Sequence, residues 1–121
     1  MIGLAALVYA VFACTPVHIA DGDTFTCAGG TRVRLASIDA PELPGHCRRG
    51  RRCAPGDPYA ARASLERLAL GKRLRCEADG RSYDRTVAWC RSASIDLSCA
   101  QVRGGFAIRE MWYEGARVCQ R

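Results

Sequence analysis

Not one Cys-x-x-Cys pair occurs among the eight cysteines, which stand at positions 14, 27, 47, 53, 76, 90, 99 and 119. Zinc is ordinarily held by close ligand pairs, and only His18 and His46 are available to complete a set. Dispersed, even-numbered cysteines in a chain of 121 residues instead predict one small domain stapled by disulfides in an oxidising compartment. The start of the chain agrees. Residues 1–13 are uncharged and apolar, of signal-peptide length and too short to span a bilayer. They read as a leader, with 14–121 as the mature domain, secreted or periplasmic. Cys14 directly after Ala13 leaves lipid attachment open as an alternative.

The order of secondary structure follows from pattern and punctuation. Val17–Ala20 and Thr24–Cys27 read as strands around the turn Asp21-Gly22-Asp23, where Gly22 is expected to supply a left-handed residue. Thr31–Ile38 alternates as a third strand after Gly29-Gly30. Residues 41–58 are loop, rich in proline and glycine, and contain the run Cys47-Arg48-Arg49-Gly50-Arg51-Arg52-Cys53. Asp57-Pro58 is a cap followed by proline at the first helical position, and Gly71 ends the helix. Residues 73–78 and 86–90 read as strands around a polar turn, Asp79-Gly80-Arg81-Ser82. Asp96 caps a second short helix that ends at Gly104-Gly105. Three strands, a helix, two strands and a helix predict a mainly β, α+β fold. Its expected form is a five-stranded Greek-key barrel of the oligonucleotide/oligosaccharide-binding architecture, with two to three short helices.

Two features point to chemistry. Basic residues number 18 against 12 acidic ones, and 17 of the 18 are arginine, whose planar fork suits bidentate contact with phosphate. The carboxylates Asp21, Asp23 and Asp39 fall at the hairpin turn and at the end of the third strand. If they converge, their mutual repulsion calls for a cation, and calcium with oxygen ligands and water is the natural one. The plainer alternative is that Asp21 and Asp23 only shape their turn.

Asp21-Gly22-Asp23-Thr24, then Arg32-Val33-Arg34-Leu35, then Ile38-Asp39-Ala40-Pro41-Glu42 resembles the thermonuclease (staphylococcal nuclease-like) family, in its cysteine-rich exported bacterial form. The match continues through Gly71-Lys72, Arg85-Thr86-Val87-Ala88 and Val102-Arg103-Gly104-Gly105-Phe106-Ala107, covering residues 16 to 107. The resemblance implies a calcium-dependent endo/exonuclease acting on DNA, RNA or both with little sequence selectivity and leaving 3′-phosphates. Asp23, Asp39 and the backbone carbonyl of Ala40 would hold the metal, with Asp21 in its outer shell. Glu42 would position or deprotonate the attacking water, and Arg34 and Arg85 would grip the scissile phosphate. Tyr83, Trp112 and Tyr113 would contact substrate. Arg48, Arg49, Arg51 and Arg52 between the loop cysteines read, apart from the resemblance, either as a solvated loop pinned by its own bridge or as a phosphate-gripping one that binds substrate. Cys76–Cys90, Cys47–Cys53 and Cys99–Cys119 would be bridged; Cys14 could pair with Cys27 if the N-terminus is retained. A monomer with no stable protein partner is expected.

The family pattern has an aspartate opening the turn before Arg85 and a glycine just ahead of it. Here Arg81 and Asp84 stand there, and Asp84 is expected to compete with phosphate for Arg85. Two other functions therefore stay open: a catalytically silent module that binds nucleic acid or another polyanion, and an envelope protein that binds acidic glycans.

Overall fold

The computed structural model describes residues 10–110 and 118–119. Among these, nine strands and two helices form a mainly β fold. The strands are β1 (Val11–Cys14), β2 (Pro16–Asp21), β3 (Thr24–Cys27), β4 (Arg32–Leu35), β5 (Ile38–Asp39), β6 (Leu74–Ser82), β7 (Arg85–Ser92), β8 (Ile95–Asp96) and β9 (Ile108–Arg109). The helices are α1 (Pro58–Ala69) and α2 (Leu97–Arg103).

Pairing runs β1-β6-β7-β4-β3-β2, with β8 added to β7, and does not close on itself. All of these pairs are antiparallel except β4 with β7. The two edges of this open sheet are β1 and β2, and only Thr15 separates them in the chain. Three consecutive Cα atoms span at most about 7 Å, so the sheet must curl until its edges nearly meet. Inside the curl lie Phe25, Val33, Leu35, Leu74 and Leu97, all essentially inaccessible. β5 and β9 form a separate pair, Asp39 opposite Ile108.

Both helices begin where the sequence says they should. The Asp57 carboxylate accepts from the backbone of Tyr59 and Ala60, with Pro58 at the first position, and that of Asp96 accepts from Cys99. The β6–β7 hairpin turns elsewhere than expected. Asp79 to Ser82 belong to β6, with a bulge between Ala78 and Arg81 at Gly80, and the chain reverses at Tyr83-Asp84. Tyr83 itself takes the left-handed conformation, φ 58°, so Gly80 bends a strand rather than making the turn.

Gly22 is also needed for a different reason than expected. It is absent from the positive-φ residues; instead, a Cβ built there would lie 2.7 Å from the Ala61 Cβ and 2.8 Å from the Ala40 Cβ. The glycine lets α1 close over the β2–β3 turn. Gln101, fully buried, ties the same junction: its Nε2 donates to the Gly22 and Ala61 carbonyls, and its Oε1 accepts from Ser64. Gly22→Ala is expected to cost about 1–3 kcal/mol, because neither methyl can retreat without moving its backbone. A urea midpoint equal to that of the wild type would contradict this close approach.

All eight cysteines are bridged, as Cys14–Cys27, Cys47–Cys53, Cys76–Cys90 and Cys99–Cys119. Cys14 therefore has no free sulfur for a lipid. Val11 to Ala13, within the expected leader, pair with Glu77, Cys76 and Arg75 of β6. No helix among the described residues is long and apolar enough to cross a membrane.

Candidate active site

β4 is central in the sheet and alternates: Val33 and Leu35 point into the core, which sends Arg32 and Arg34 to the opposite face. Arg34 is the hub of that face, with only 11% of its side chain exposed. Its Nη1 donates to the carbonyls of Leu35 (2.9 Å) and Ile38 (2.7 Å). Its Nη2 donates to Glu110 Oε1 at 2.9 Å and lies 3.5 Å from Asp39 Oδ1 and 3.7 Å from Asp23 Oδ2. The β2–β3 turn brings Asp23, the β5–β9 pair brings Asp39 and Glu110, and one guanidinium nitrogen thus lies within 4 Å of three carboxylates.

The carboxylates are held by the backbone as well. Asp23 Oδ2 accepts from the Ala40 N–H and Oδ1 from the Thr24 hydroxyl, while Asp21 Oδ1 accepts from the Asp23 N–H. Burial, followed by the neighbouring Asp23 charge, pushes the Asp21 pKa up from 3.8 to about 7. Burial followed by Asp23 also raises Asp39 and Glu42. Glu110 is raised by burial against the pull of Arg34. Burial works against the charge on Arg34, but Asp23, Glu110 and Asp39 outweigh it and raise its pKa.

A cleft of about 860 Å³ opens beside this cluster, lined by Asp21, Glu42 and Glu110 and by six arginines, 32, 34, 48, 51, 81 and 85. Arg85 enters from the start of β7, donating to Ser82 Oγ (2.9 Å) and the Ser82 carbonyl (3.3 Å) and reaching Thr24 Oγ1 at 3.4 Å. Asp84 feels the Arg85 charge but makes its hydrogen bond elsewhere. Its carboxylate pairs with Arg32 at 2.6 Å, a hydrogen bond that lowers the Asp84 pKa. Tyr83 stands exposed (77%) on the rim.

Asp21, Asp23, Arg34, Asp39, Ala40, Glu42 and Arg85 are therefore brought to one end of the molecule. Of the loop arginines, Arg48 and Arg51 line the cleft and Arg49 and Arg52 do not. Trp112 and Tyr113 lie outside the described residues. The residue that sequence reasoning missed is Glu110. No local pattern set it apart, and its place depends on the two-residue pair β5–β9.

Among the described residues no three His, Cys, Asp or Glu side chains converge as a ready-made metal cage. The site's oxygen donors are of the kind a hard cation takes, and burial, with one another's charge added, pushes several of the carboxyls toward protonation. Asp23, Asp39 and the Ala40 carbonyl would hold such an ion, with water completing its shell.

The raised carboxyls make a testable link to pH. Their folded-state pKa values lie above the ordinary 3.8 and 4.5. The folded chain thus keeps protons that the unfolded chain has already released. The stability this brings is complete below the unfolded values and is lost as pH rises toward 7. A cation replaces those protons, so calcium is expected to raise Tm by more at pH 8 than at pH 5. A calcium-induced shift independent of pH would contradict the assignment.

Comparison with protein-family models finds no match, and comparison with curated proteins finds none either.

Proposed function

We propose that the protein is an exported, calcium-dependent phosphodiesterase that cuts DNA or RNA with low sequence selectivity. One observation carries this: Asp21, Glu42, Arg34 and Arg85 line a single arginine-rich cleft, and Asp23 and Asp39 lie within 4 Å of the Arg34 guanidinium. A phosphodiester strand fits such a cleft because guanidinium forks match its phosphate oxygens. Glu42 takes the proton of a water attacking phosphorus. Arg85 and Arg34 stabilise the negative charge that builds on the phosphoryl oxygens. Bound calcium would neutralise one of those oxygens and order the in-line geometry. The bond from phosphorus to the 5′-oxygen breaks, that oxygen takes a proton from solvent water to become the 5′-hydroxyl of the downstream fragment, and the upstream fragment keeps a 3′-phosphate.

The curled sheet fits the same proposal. Counting β1 and β2 as halves of one bent strand, it becomes a five-stranded, partly open Greek-key barrel, an architecture that binds oligonucleotides on its face. Four disulfides suit an exported protein.

One contact favours instead a protein that binds nucleic acid without cutting it. Arg34 spends its donors on Glu110 and two carbonyls, so phosphate must displace Glu110 to reach it. End-group analysis separates the two. A labelled single-stranded oligonucleotide incubated with calcium is expected to yield fragments with 3′-phosphate ends. Fragments with 5′-phosphates, or an intact strand, would overturn the proposed reaction.

A further inference from the structure

The loop between Cys47 and Cys53 overhangs the cleft, and its four arginines are not equivalent. The Arg51 N–H donates to the Arg48 carbonyl at 3.0 Å, and Gly50 has φ 80°. This is a β-turn with Arg48 and Arg51 at its ends and Arg49 and Gly50 at its tip; the ends of such a turn lie within about 7 Å of each other. The bridge Cys47–Cys53 closes immediately around it.

Both end arginines reach into the cleft, toward opposite walls. The Arg48 guanidinium lies 5.4 Å from the Tyr83 ring centroid, and its Nη1 is 3.4 Å from the Tyr83 hydroxyl, on the β6–β7 turn. Arg51 is 3.4 Å from Glu42 Oε1 and 3.9 Å from Asp39 Oδ1. These partnerships are loose: a strong charge-assisted hydrogen bond is about 2.7–2.9 Å. Nearly half of the Arg51 side chain is exposed. A guanidinium held this loosely over a cleft exchanges its partner for a phosphate at little cost. Arg49 at the tip and Arg52 beyond the turn carry the same charge but line no part of the cleft.

We infer that the Cys47–Cys53 loop is a two-arginine clamp in which Arg48 and Arg51 each take a phosphate of the bound strand besides the scissile one, held in position by the disulfide. The clamp rests on the assignment of the cleft as a phosphodiester site. It goes further in assigning two of four neighbouring arginines and in giving the bridge a task in binding.

The test is binding of labelled single-stranded decathymidylate to the oxidised protein in chelator, at rising salt. For single strands, log K falls against log salt with a slope of about −0.7 per phosphate neutralised. Arg48→Gln and Arg51→Gln are each expected to flatten the slope by about 0.7. Arg49→Gln and Arg52→Gln change the charge equally but should leave it nearly unaltered. The Cys47→Ser/Cys53→Ser double variant is expected to flatten it by about 1.4. Equal flattening by all four arginine variants would overturn the clamp, and a wild-type slope in the double serine variant would overturn the role of the bridge. A protein with the two-arginine signature that cuts nothing in calcium keeps the clamp and loses the hydrolase. One that cuts, with four equal slopes, loses only the clamp.

Discussion

Glu42→Gln is expected to lower the rate of phosphodiester hydrolysis by about 10²–10⁴-fold while leaving affinity for the oligonucleotide close to that of the wild type. Glutamine has the shape of glutamate and keeps an oxygen for the Arg51 contact, now 3.4 Å. It cannot take a proton from water. The loss therefore falls on kcat, and KM stays within a few-fold, the signature of a group that acts only in the transition state. A variant that cuts within a few-fold of the wild-type rate would remove Glu42 from the chemistry.

Arg34→Ala is expected to cost about 3–5 kcal/mol of stability near neutral pH, read from urea unfolding of the oxidised protein. Asp23, Asp39 and Glu110 lose the nitrogen they share, and the Leu35 and Ile38 carbonyls lose a donor. Breaking a buried pair leaves charges unpaired in a poorly solvated place, which is why the cost exceeds that of a surface ion pair. The penalty should shrink in acid, where the orphaned carboxyls take up protons. Arg34→Lys should recover only part of the loss, because one ammonium cannot serve two carbonyls and three carboxylates in a fixed fork. A loss below about 1 kcal/mol, as for an exposed pair, would contradict the hub.

How much of this was legible in the sequence depended on chain distance. Asp21, Asp23 and Arg34 fall within 14 positions, where strand alternation and a hairpin decide which side chains share a face, and their approach follows from the meander; Asp39, close in sequence, is brought in by the separate β5–β9 pair. Both helix starts were legible because a capping aspartate acts within three residues of itself. Glu110 was not, since its approach to Arg34 depends on pairing between two-residue strands about 70 positions apart. Asp84 misled for a related reason: beside Arg85 in sequence, it faces Arg32 across the fold. Gly22 and Gly80 were read as turn-makers from a tendency of glycine, whereas packing against α1 and a bulge in β6 are what need them. The asymmetry within the arginine loop did have a local signal. Arg48-Arg49-Gly50-Arg51 puts glycine at the third position of a turn, where a positive φ is wanted.

The most direct measurement is hydrolysis of denatured DNA by the oxidised wild-type protein, with calcium and with chelator, and with binding followed on the same samples. Cutting in calcium that stops in chelator, with binding kept in both, is the predicted result. Binding without cutting in either condition would contradict a hydrolytic cleft, and would leave a protein that uses its arginines only to hold the strand.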